Sequence, residues 1–393
     1  MNKLRIILIS NILKSKGGAF IATSRIAQIL KKKYSVEFLI PNNKNIYNKI
    51  KIFLSNVLKR IFIGKNRYLN SLNMFSTVDL KGLKSDIIHL NWTGQELISI
   101  DEISKIKKPI IWTIHDMWVP NSTEHFLDNP NKKKYTLIDL NKNLLKKIIF
   151  KKKKILYKKK NIHFIANSKW LRDFTLKSDL TKKCKVNVIY NPIETNIWKR
   201  KNEKFSKKNL KLEINKNYIL FGAHGGFSNF RKGGDLLIKS LKQLDVNKKN
   251  IEIIVLGGDF NASEIFDNYR FHFRKLEKDR IRQVMYHSAA ILTVCPSRAE
   301  SLPQFVVETI LCGNPVVSFD VGGIKEIVEH KVNGFIAKPF NVKNFANGIK
   351  FCMSNIKRKN LEKQKNKIEK MFNEKKILQE YKKIIDKVNY YEN

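Results

Sequence analysis

Two glutamates with seven residues between them occur in the segment Cys295–Thr309. A buried strand is expected over Ala290–Val294, and the loop that follows it carries Glu300. We expect a helix to begin near Ser301, with that serine as its N-cap and Pro303 in the first turn, where proline is tolerated. The segment therefore predicts a carboxylate at the edge of a sheet, where open α/β proteins bind ligands.

The second glutamate, Glu308, falls within this expected helix. The helix is otherwise mostly apolar, through Phe305, Val306, Val307 and Ile310. A carboxylate on a buried helix usually has a partner, although a solvated helix residue is the common alternative. Because Glu300 precedes the helix, its loop can turn it towards the same ligand as Glu308. The backbone N–H groups near Ser301 and Leu302 would face the same space.

Two adjacent cations, Arg231 and Lys232, precede a glycine pair in the loop after an expected strand, Tyr218–Phe221. Cations at the start of a helix suit a diphosphate, because the helix N-terminus adds positive potential there. In a chain with 77 basic residues, an Arg-Lys pair also arises by chance. The position of the pair, more than its charge, carries the prediction.

A second glycine pair, Gly17-Gly18, lies between the first expected strand and the next helix, within Lys16-Gly17-Gly18-Ala19. Glycine lets a backbone approach a ligand closely, and the N-terminus of a helix suits phosphate. The segment is neither G-x-G-x-x-G nor a Walker loop, and an ordinary glycine turn is the alternative interpretation.

The strand expected over Ile110–Ile114 delivers His115 and Asp116 to its carboxyl end, beside Asn91-Trp92 from the preceding strand. A histidine in that position can donate to a sugar hydroxyl or exchange a proton near neutral pH. A histidine that only bonds a loop carbonyl is the alternative.

Motifs for other chemistries are missing from the sequence. It contains no D-x-D, no H-E-x-x-H and no G-x-S-x-G, and its four cysteines form no C-x-x-C pair. No metal site and no serine nucleophile are therefore predicted, and the cysteines fit reduced thiols in a cytoplasm.

The elements that position these residues alternate between short apolar strands and helix-length segments. This alternation predicts parallel sheets covered on both faces. It restarts after the lysine-rich stretch Lys199–Lys216. We therefore predict an α/β chain with Rossmann-like domains over residues 1–205 and 206–375, facing across a cleft, and a C-terminal helix over 376–393 that packs back on them.

The chain carries 77 basic and 34 acidic residues, a formal net charge of +43. Basic amphipathic segments over 49–67 and 132–160 suit an anionic membrane surface. Solvated helix faces in a lysine-biased proteome are the alternative. Nucleic-acid binding is a remote alternative, because no recognition motif accompanies the charge, and no nucleic-acid partner is predicted. The run Ile6–Ile9 is too short for a signal peptide and is predicted as the first strand.

The Glu-x7-Glu segment, with its continuation Val321–Val328 and Asn333-Gly334-Phe335, resembles family 4 of the retaining glycosyltransferases, which have the GT-B fold. The resemblance spans about residues 4 to 350 and is specific in the second half. Its other matching segments are Gly17-Gly18-Ala19, His115-Asp116-Met117-Trp118, Asn167–Leu171, Asn191-Pro192-Ile193 and Arg231-Lys232-Gly233. The His-Asp-Met-Trp segment is similar to enzymes of bacterial exopolysaccharide assembly of the colanic-acid type.

The resemblance implies transfer of a hexosyl unit, with retained configuration, from a nucleotide diphosphate sugar to a glycan or lipid-diphosphate-linked acceptor. It implies roles for several residues. Glu308 would hold the donor ribose, Glu300 would contact the donor sugar, and His115 would reach the sugar or the acceptor. Lys232 and Arg231 would bind the diphosphate with the Gly17-Gly18 backbone, and Ser301 and Leu302 would line the donor site. No cofactor is implied, since the nucleotide sugar is a substrate.

Two departures from the family pattern bear on these roles. Many relatives have Gly-Arg at Gly222-Ala223, so Arg231 would have to supply the missing cation. Many have Glu-Gly-Phe at Glu300-Ser301-Leu302, which leaves the donor sugar open. The alternatives are a non-transferring GT-B protein, either a sugar-nucleotide epimerase or an inactive sugar-binding homologue. The expected location is the cytoplasm, with peripheral association at the inner face of the plasma membrane if the basic segments bind lipid.

Overall fold

The computed structural model forms two compact units, residues 1–192 with 374–393 and residues 193–373. Lys16, Ala223 and parts of both basic segments, 65–67 and 132–142, lie outside the described residues. The structure describes residues 3–11, 17–41, 45–64, 69–127, 143–222, 225–258, 262–266, 268–275 and 279–390.

The first unit is built on a parallel sheet with the strand order β2-β1-β3-β4-β5-β6. Its strands are β1 (Arg5–Ile9), β2 (Ser35–Leu39), β3 (Ile87–Leu90), β4 (Ile110–Ile114), β5 (Ile162–Ala166) and β6 (Val186–Val188). Its helices in chain order are α1 (Gly18–Leu30), α2 (Ile46–Phe62), α3 (Ile100–Lys105), α4 (Leu144–Leu156) and α5 (Lys169–Lys177). The central strands are runs of buried, largely β-branched residues, as a sheet covered on both faces requires.

The second unit contains a sheet with the order β13-β12-β11-β7-β8-β10-β9, in which only the edge strand β9 is antiparallel. Its strands are β7 (Asn217–Gly222), β8 (Ile251–Gly258), β9 (Ala262–Phe266), β10 (Tyr269–Lys275), β11 (Ala290–Cys295), β12 (Val316–Phe319) and β13 (Gly334–Ala337). Its helices are α6 (Glu203–Asn209), α7 (Gly234–Lys242), α8 (Arg280–Ala289), α9 (Gln304–Leu311), α10 (Val342–Ser354) and α11 (Arg358–Phe372).

Apolar cores lie on both faces of each sheet. One core of the first unit is completed by α12 (Glu374–Tyr390), the last helix of the described chain. Ile377, Ile384 and Tyr381 of α12 are buried against β1 and α1, and the Tyr381 hydroxyl lies 3.2 Å from Thr113 Oγ1. The predicted α/β class with two Rossmann-like domains is confirmed.

The compact units divide at Pro192 and Ile193, whereas the sequence placed the boundary after residue 205. The intervening segment packs into the second unit. Trp198 is fully buried there with its ring 5.6 Å from that of His287, and the Lys201 N–H donates to Ser288 Oγ at 2.9 Å. A lysine-rich stretch indicates that a segment is exposed to solvent. It does not indicate which of the two units the segment packs against.

The start of helix α9 differs from the prediction that it begins near Ser301. The helix begins at Gln304, and Pro303 is its N-cap without a side-chain hydrogen bond. The proline explains the shift, because the residue before a proline is disfavoured in the helical region, and this excludes Leu302 from the helix. Across the residues that the structure describes, no helix combines the length and apolarity needed to span a membrane.

Each unit buries a histidine, His89 on β3 and His287 in α8. Burial, with the nearby charge of His115 as a second cause, lowers the pKa of His89 to about 3. Burial alone lowers the pKa of His287 to about 3. Both imidazoles are therefore neutral in the folded protein well below neutral pH.

We predict that the melting temperature falls between pH 7 and about pH 5.5. In the unfolded chain these histidines take up protons near pH 6.5, and the folded protein cannot, so stability is lost as the pH falls. Each histidine should lower the free energy of unfolding by about 1 kcal/mol at pH 5.5. Thermal denaturation measured at low and high salt checks this, because salt screens surface repulsion but not proton linkage. A constant melting temperature across this window would contradict the prediction.

Candidate active site

The second sheet changes its direction of connection between β7 and β11, which are neighbours in the middle of the sheet. β7 leads to β8 on one side, and β11 leads to β12 on the other. Phe221 pairs with Val294, so the two strands end at a similar level. Ligands of open α/β sheets bind at such a switch point, beyond the carboxyl ends of the strands.

The loops after β7 and β11 bring three predicted site residues into contact at this point. Lys232 Nζ donates to Glu300 Oε1 at 2.7 Å, and Arg231 Nη1 lies 3.0 Å from the same oxygen. Arg231 Nη1 also donates to the carbonyl of Ala299 at 3.0 Å. Glu300 is 6% exposed, so the contact is a buried carboxylate paired with two cations.

The charge state of Glu300 follows from this pairing. Burial opposes ionisation, but the charges of Lys232 and Arg231 and a hydrogen bond from Ser297 outweigh it and lower the pKa of Glu300 to about 2. Glu300 is therefore a carboxylate at any physiological pH. It can accept hydrogen bonds and stabilise positive charge, but it does not hold a proton to donate.

Two glycines allow the loops to approach this closely. Gly233 has φ +74°, and a Cβ on it would lie 2.0 Å from the carbonyl oxygen of Pro296. Gly322 has φ +61°, and a Cβ on it would lie 1.7 Å from the carbonyl oxygen of Glu300. Both positions combine a left-handed backbone with a contact that no side chain permits.

Arg298 is a site residue that the sequence analysis missed. Its guanidinium makes two hydrogen bonds to Asp235, at 2.8 and 2.6 Å, and lies 3.9 Å from the ring centre of Phe230. Its backbone N–H donates to the carbonyl of Arg231 at 2.8 Å. Arg298 thus joins the Glu300 loop to the cation loop. The sequence signal for this contact was an arginine in the loop after β11 and an aspartate, Asp235, directly after the glycine pair Gly233-Gly234.

Three further predicted residues lie on or beside α9. Ser301 and Leu302 are buried in the loop, and the Ser301 carbonyl accepts from the Gly323 N–H at 2.8 Å. Glu308 lies in the second turn of α9 and is 7% exposed. The mostly buried helix expected around Glu308 is present. Its role towards a ligand stays a prediction, as do those of Ser301 and Leu302.

The first unit holds the predicted glycine pair at the start of α1. Gly17 is the buried N-cap of the helix and its carbonyl accepts from Ile21 at 3.1 Å. Gly18 is exposed, and a Cβ on it would meet nothing within 4 Å. The fold therefore does not require glycine at position 18.

His115 follows β4, and its Nε2 lies 3.1 Å from Asn91 Oδ1. Burial lowers the pKa of His115 to about 4, although Asp116 opposes this. The imidazole is therefore neutral at pH 7. It can orient a hydroxyl by hydrogen bonding, whereas the proton exchange near neutral pH that the sequence suggested is disfavoured.

Asp116 organises the loops around His115. It accepts hydrogen bonds from Trp92 Nε1 and the Trp118 N–H, both at 2.9 Å, and lies 2.6 Å from His125 Nδ1. Burial opposes its ionisation, but His125 and these hydrogen bonds lower the pKa of Asp116. His125 Nε2 lies 2.8 Å from Ser71 Oγ. The sequence of contacts Asp116–His125–Ser71 resembles the catalytic triad of a serine hydrolase. Ser71 is fully buried, so the chain of contacts is structural.

A buried lysine fixes the loop that follows. Lys153 Nζ donates to the carbonyls of Trp118 and Asn121 at 2.6 and 2.9 Å and lies 3.2 Å from the Trp118 ring centre. Burial lowers its pKa well below the ordinary range, against the attraction of Glu124 and Asp116.

Among the residues that the structure describes, no cluster of histidine, cysteine or acidic side chains could hold a metal ion.

We predict that Gly322→Ala destabilises the second unit by more than about 3 kcal/mol, since the new methyl group must displace the Glu300 backbone. Gly313→Ala is the matched control. Gly313 also has a positive φ, +71°, but a Cβ there would come no nearer than 4.0 Å to another atom. It should cost only about 1–2 kcal/mol, the cost of the left-handed backbone. Chemical denaturation of both variants measures the difference, and equal losses would refute the close contact.

Comparisons with known proteins agree with this architecture. Residues 202–371 match the protein family described as "Glycosyl transferases group 1". The chain is 26% identical over 295 residues to an uncharacterized 41.2 kDa protein in the cps region of Klebsiella pneumoniae, covering 71% of this chain and 73% of that protein. It is 27% identical over 201 residues to an uncharacterized glycosyltransferase of Methanocaldococcus jannaschii, covering 48% of this chain.

The chain spans about half the length of curated relatives that it matches, 50% for the Methanocaldococcus jannaschii protein. Its fold is similar to that of Anabaena HepE, solved in complex with UDP and glucose. The TM-score is 0.68 at 18% identity, over 98% of this chain and 100% of the HepE chain. The protein therefore has the GT-B fold, and its residues 202–371 are similar to the glycosyl transferases group 1 family.

Proposed function

We propose that the protein is a retaining glycosyltransferase that moves a hexosyl unit from a nucleotide diphosphate sugar to a glycan or lipid-diphosphate-linked acceptor. The observation that carries this proposal is the buried contact of Glu300 with Lys232 and Arg231 at the switch point of a glycosyl transferases group 1 domain. The proposal includes membership of family 4 and the similarity to exopolysaccharide enzymes of the colanic-acid type.

The two cations are proposed to bind the donor diphosphate. They directly precede α7, whose N-terminus begins at Gly234 and contributes positive potential. As the bond from the anomeric carbon to the phosphate oxygen breaks, the diphosphate gains negative charge. Fixed cations that already lie in place stabilise this charge without reorganisation. The positive charge that would stabilise the leaving diphosphate thus comes from Lys232, Arg231 and the N-terminus of α7.

Glu300 is proposed to contact the donor sugar as a carboxylate. Its contacts with both cations would keep them in the loop that the diphosphate would reach. In the transition state it would favour the positive charge that develops on the sugar ring. The acceptor oxygen bonds to the anomeric carbon on the face that the phosphate leaves, and its proton passes to the departing phosphate oxygen.

The remaining roles are proposed for residues of each unit. His115 would orient a hydroxyl of the sugar or the acceptor as a neutral imidazole, and the backbone of Gly17 and Gly18 would approach the diphosphate. Glu308 would hold the ribose hydroxyls, and Ser301 and Leu302 would line the donor site. These roles are the ones that the resemblance to family 4 implies. The buried positions of His115 after a strand and of Glu308 in α9 support them.

The biological setting is proposed from the relatives. The similar Klebsiella pneumoniae protein is named for a cps region, which supports a role in bacterial surface polysaccharide biosynthesis. We propose a cytoplasmic location, with peripheral association at the inner face of the plasma membrane. The HepE complex with UDP and glucose makes UDP-glucose the first donor to test.

Thermal-shift measurements with UDP, GDP and ADP sugars test the donor. A ligand at a hundredfold excess over its Kd should stabilise the protein by about 2.7 kcal/mol. Stabilisation by one nucleotide sugar, followed by transfer of a labelled sugar, would support the proposal. Stabilisation with epimerised or unchanged sugar would favour the non-transferring alternatives, and no stabilisation by any of them would refute the donor class.

We predict that Glu300→Gln lowers turnover by about a hundredfold or more, because the transition-state charge loses its carboxylate. Nucleotide affinity should change by less than about threefold, since Lys232 and Arg231 remain. Steady-state kinetics and nucleotide titration separate the two quantities. Glu362→Gln, a change on the exposed side of α11, is the control and should leave both unchanged. Wild-type turnover in Glu300→Gln would remove Glu300 from the mechanism.

A second prediction concerns Gly18, where the fold leaves room for a side chain. Gly18→Ala should leave the melting temperature unchanged or raise it, because alanine favours a helix by up to about 1 kcal/mol. The same variant should weaken donor binding by roughly tenfold if the diphosphate meets the backbone there. Calorimetric titration with the identified donor measures this, and unchanged affinity would place the diphosphate elsewhere.

A further inference from the structure

Helix α2 is attached to the first unit by polar side chains. Its two buried residues are Asn48 and Ser55. Asn48 Nδ2 donates to the Thr77 carbonyl at 3.0 Å, and Ser55 Oγ donates to Glu96 Oε1 at 2.8 Å. Lys51, between them, donates to a loop carbonyl at 2.8 Å. These hydrogen bonds hold this face of the helix, together with the partly buried Leu58, which packs on the apolar core of the first unit.

The opposite face of α2 is apolar and open to solvent. Residues 46, 50, 53, 54, 57 and 61 follow the spacing of one helical stripe, centred about 180° from the buried polar residues. Within this stripe the exposed fractions are Ile46 65%, Ile50 48%, Phe53 65%, Leu54 44% and Ile61 67%, and the neighbouring Tyr47 is 70% exposed. A helix that packs on a protein core usually turns its apolar stripe towards that core. A large apolar stripe that faces solvent instead indicates an interaction surface.

The charges on α2 have a single sign. The helix carries Lys49, Lys51, Lys59 and Arg60 and no acidic residue. Lys49 and Arg60 lie together along one side of the apolar stripe on a helix of 3.6 residues per turn.

The start of α4 adjoins the end of α2. Asn143, the N-cap of α4, donates to the carbonyl of Phe62. Leu144 and Ile155 of α4 are each 68% exposed and Ile148 is 38% exposed. They share their side of the helix with the exposed Lys151 and Lys154. We name the exposed residues of these two helices the α2–α4 face.

We propose that the α2–α4 face docks on an anionic lipid surface, with the apolar stripe of α2 inserted between headgroups. This deepens the proposed function, on which it rests, by naming the surface that brings the enzyme to a lipid-linked acceptor. The occupant follows from the charges. A second copy of this face would bring cations against cations, whereas anionic headgroups complement the cations and the acyl boundary takes up the apolar stripe.

Flotation of the full chain with lipid vesicles tests the docking. Vesicles of phosphatidylcholine with about 30% phosphatidylglycerol should bind the protein at least about tenfold more tightly than phosphatidylcholine alone at low salt, and high salt should weaken the binding. Ile50→Ser with Phe53→Ser should lower the partition coefficient by roughly tenfold or more. The matched control is Phe205→Ser with Ile265→Ser, which removes exposed apolar side chains of the second unit, 52% and 69% exposed.

Charge reversal separates lipid preference from insertion. Lys49→Glu with Arg60→Glu should abolish the preference for phosphatidylglycerol, whereas Lys204→Glu with Lys343→Glu, two exposed lysines of the second unit, should keep it at the same net charge. Equal binding by the face variants and their controls would overturn the proposal. So would a wild-type dimer in sedimentation velocity that Ile50→Ser with Phe53→Ser converts to a monomer, because a second copy would then be the occupant. Nucleotide-sugar thermal shifts on the same variants report the donor site separately.

Discussion

The buried ion pair between Glu300 and Lys232, joined by Arg231, is the interaction on which the candidate site depends. A carboxylate taken out of water costs several kcal/mol unless cations and hydrogen bonds replace its hydration. Here the cations come from the loop after β7 and the carboxylate from the loop after β11. The buried carboxylate of one loop is therefore stabilised by the cations of the other. The pair holds positive charge beyond the carboxyl ends of β7 and β11, at the switch point of the sheet.

Backbone contacts make this electrostatic arrangement possible. Gly233 and Gly322 let the two loops and the segment after β12 lie within distances that no Cβ would allow. Arg298 then joins the same loops through Asp235 and the Arg231 carbonyl. Close main-chain packing thus positions the charged side chains of the site.

The first unit uses a similar principle with different residues. Asp116 is a buried carboxylate after β4. It accepts hydrogen bonds from the Trp92 indole and the Trp118 backbone N–H, and it contacts His125. It holds the loop next to His115, which stays neutral because burial disfavours its charged form. Helix α2 differs from a typical helix on a protein core, since its two fully buried residues are polar and a stripe of apolar side chains faces outward.

The sequence by itself determined the α/β class, the strand ends that carry the site residues and the presence of one acidic and one basic loop at such ends. Those signals are local, because apolar runs, glycine pairs and charges stand next to one another in the chain. Only the tertiary structure decided that Arg231 and Lys232 meet Glu300, that Arg298 and Gly322 support it, and that Ile193 begins the second unit. These facts depend on contacts between segments far apart in sequence. The outward stripe of α2 also needed the tertiary structure, because periodicity gives the faces of a helix but not which one the core covers.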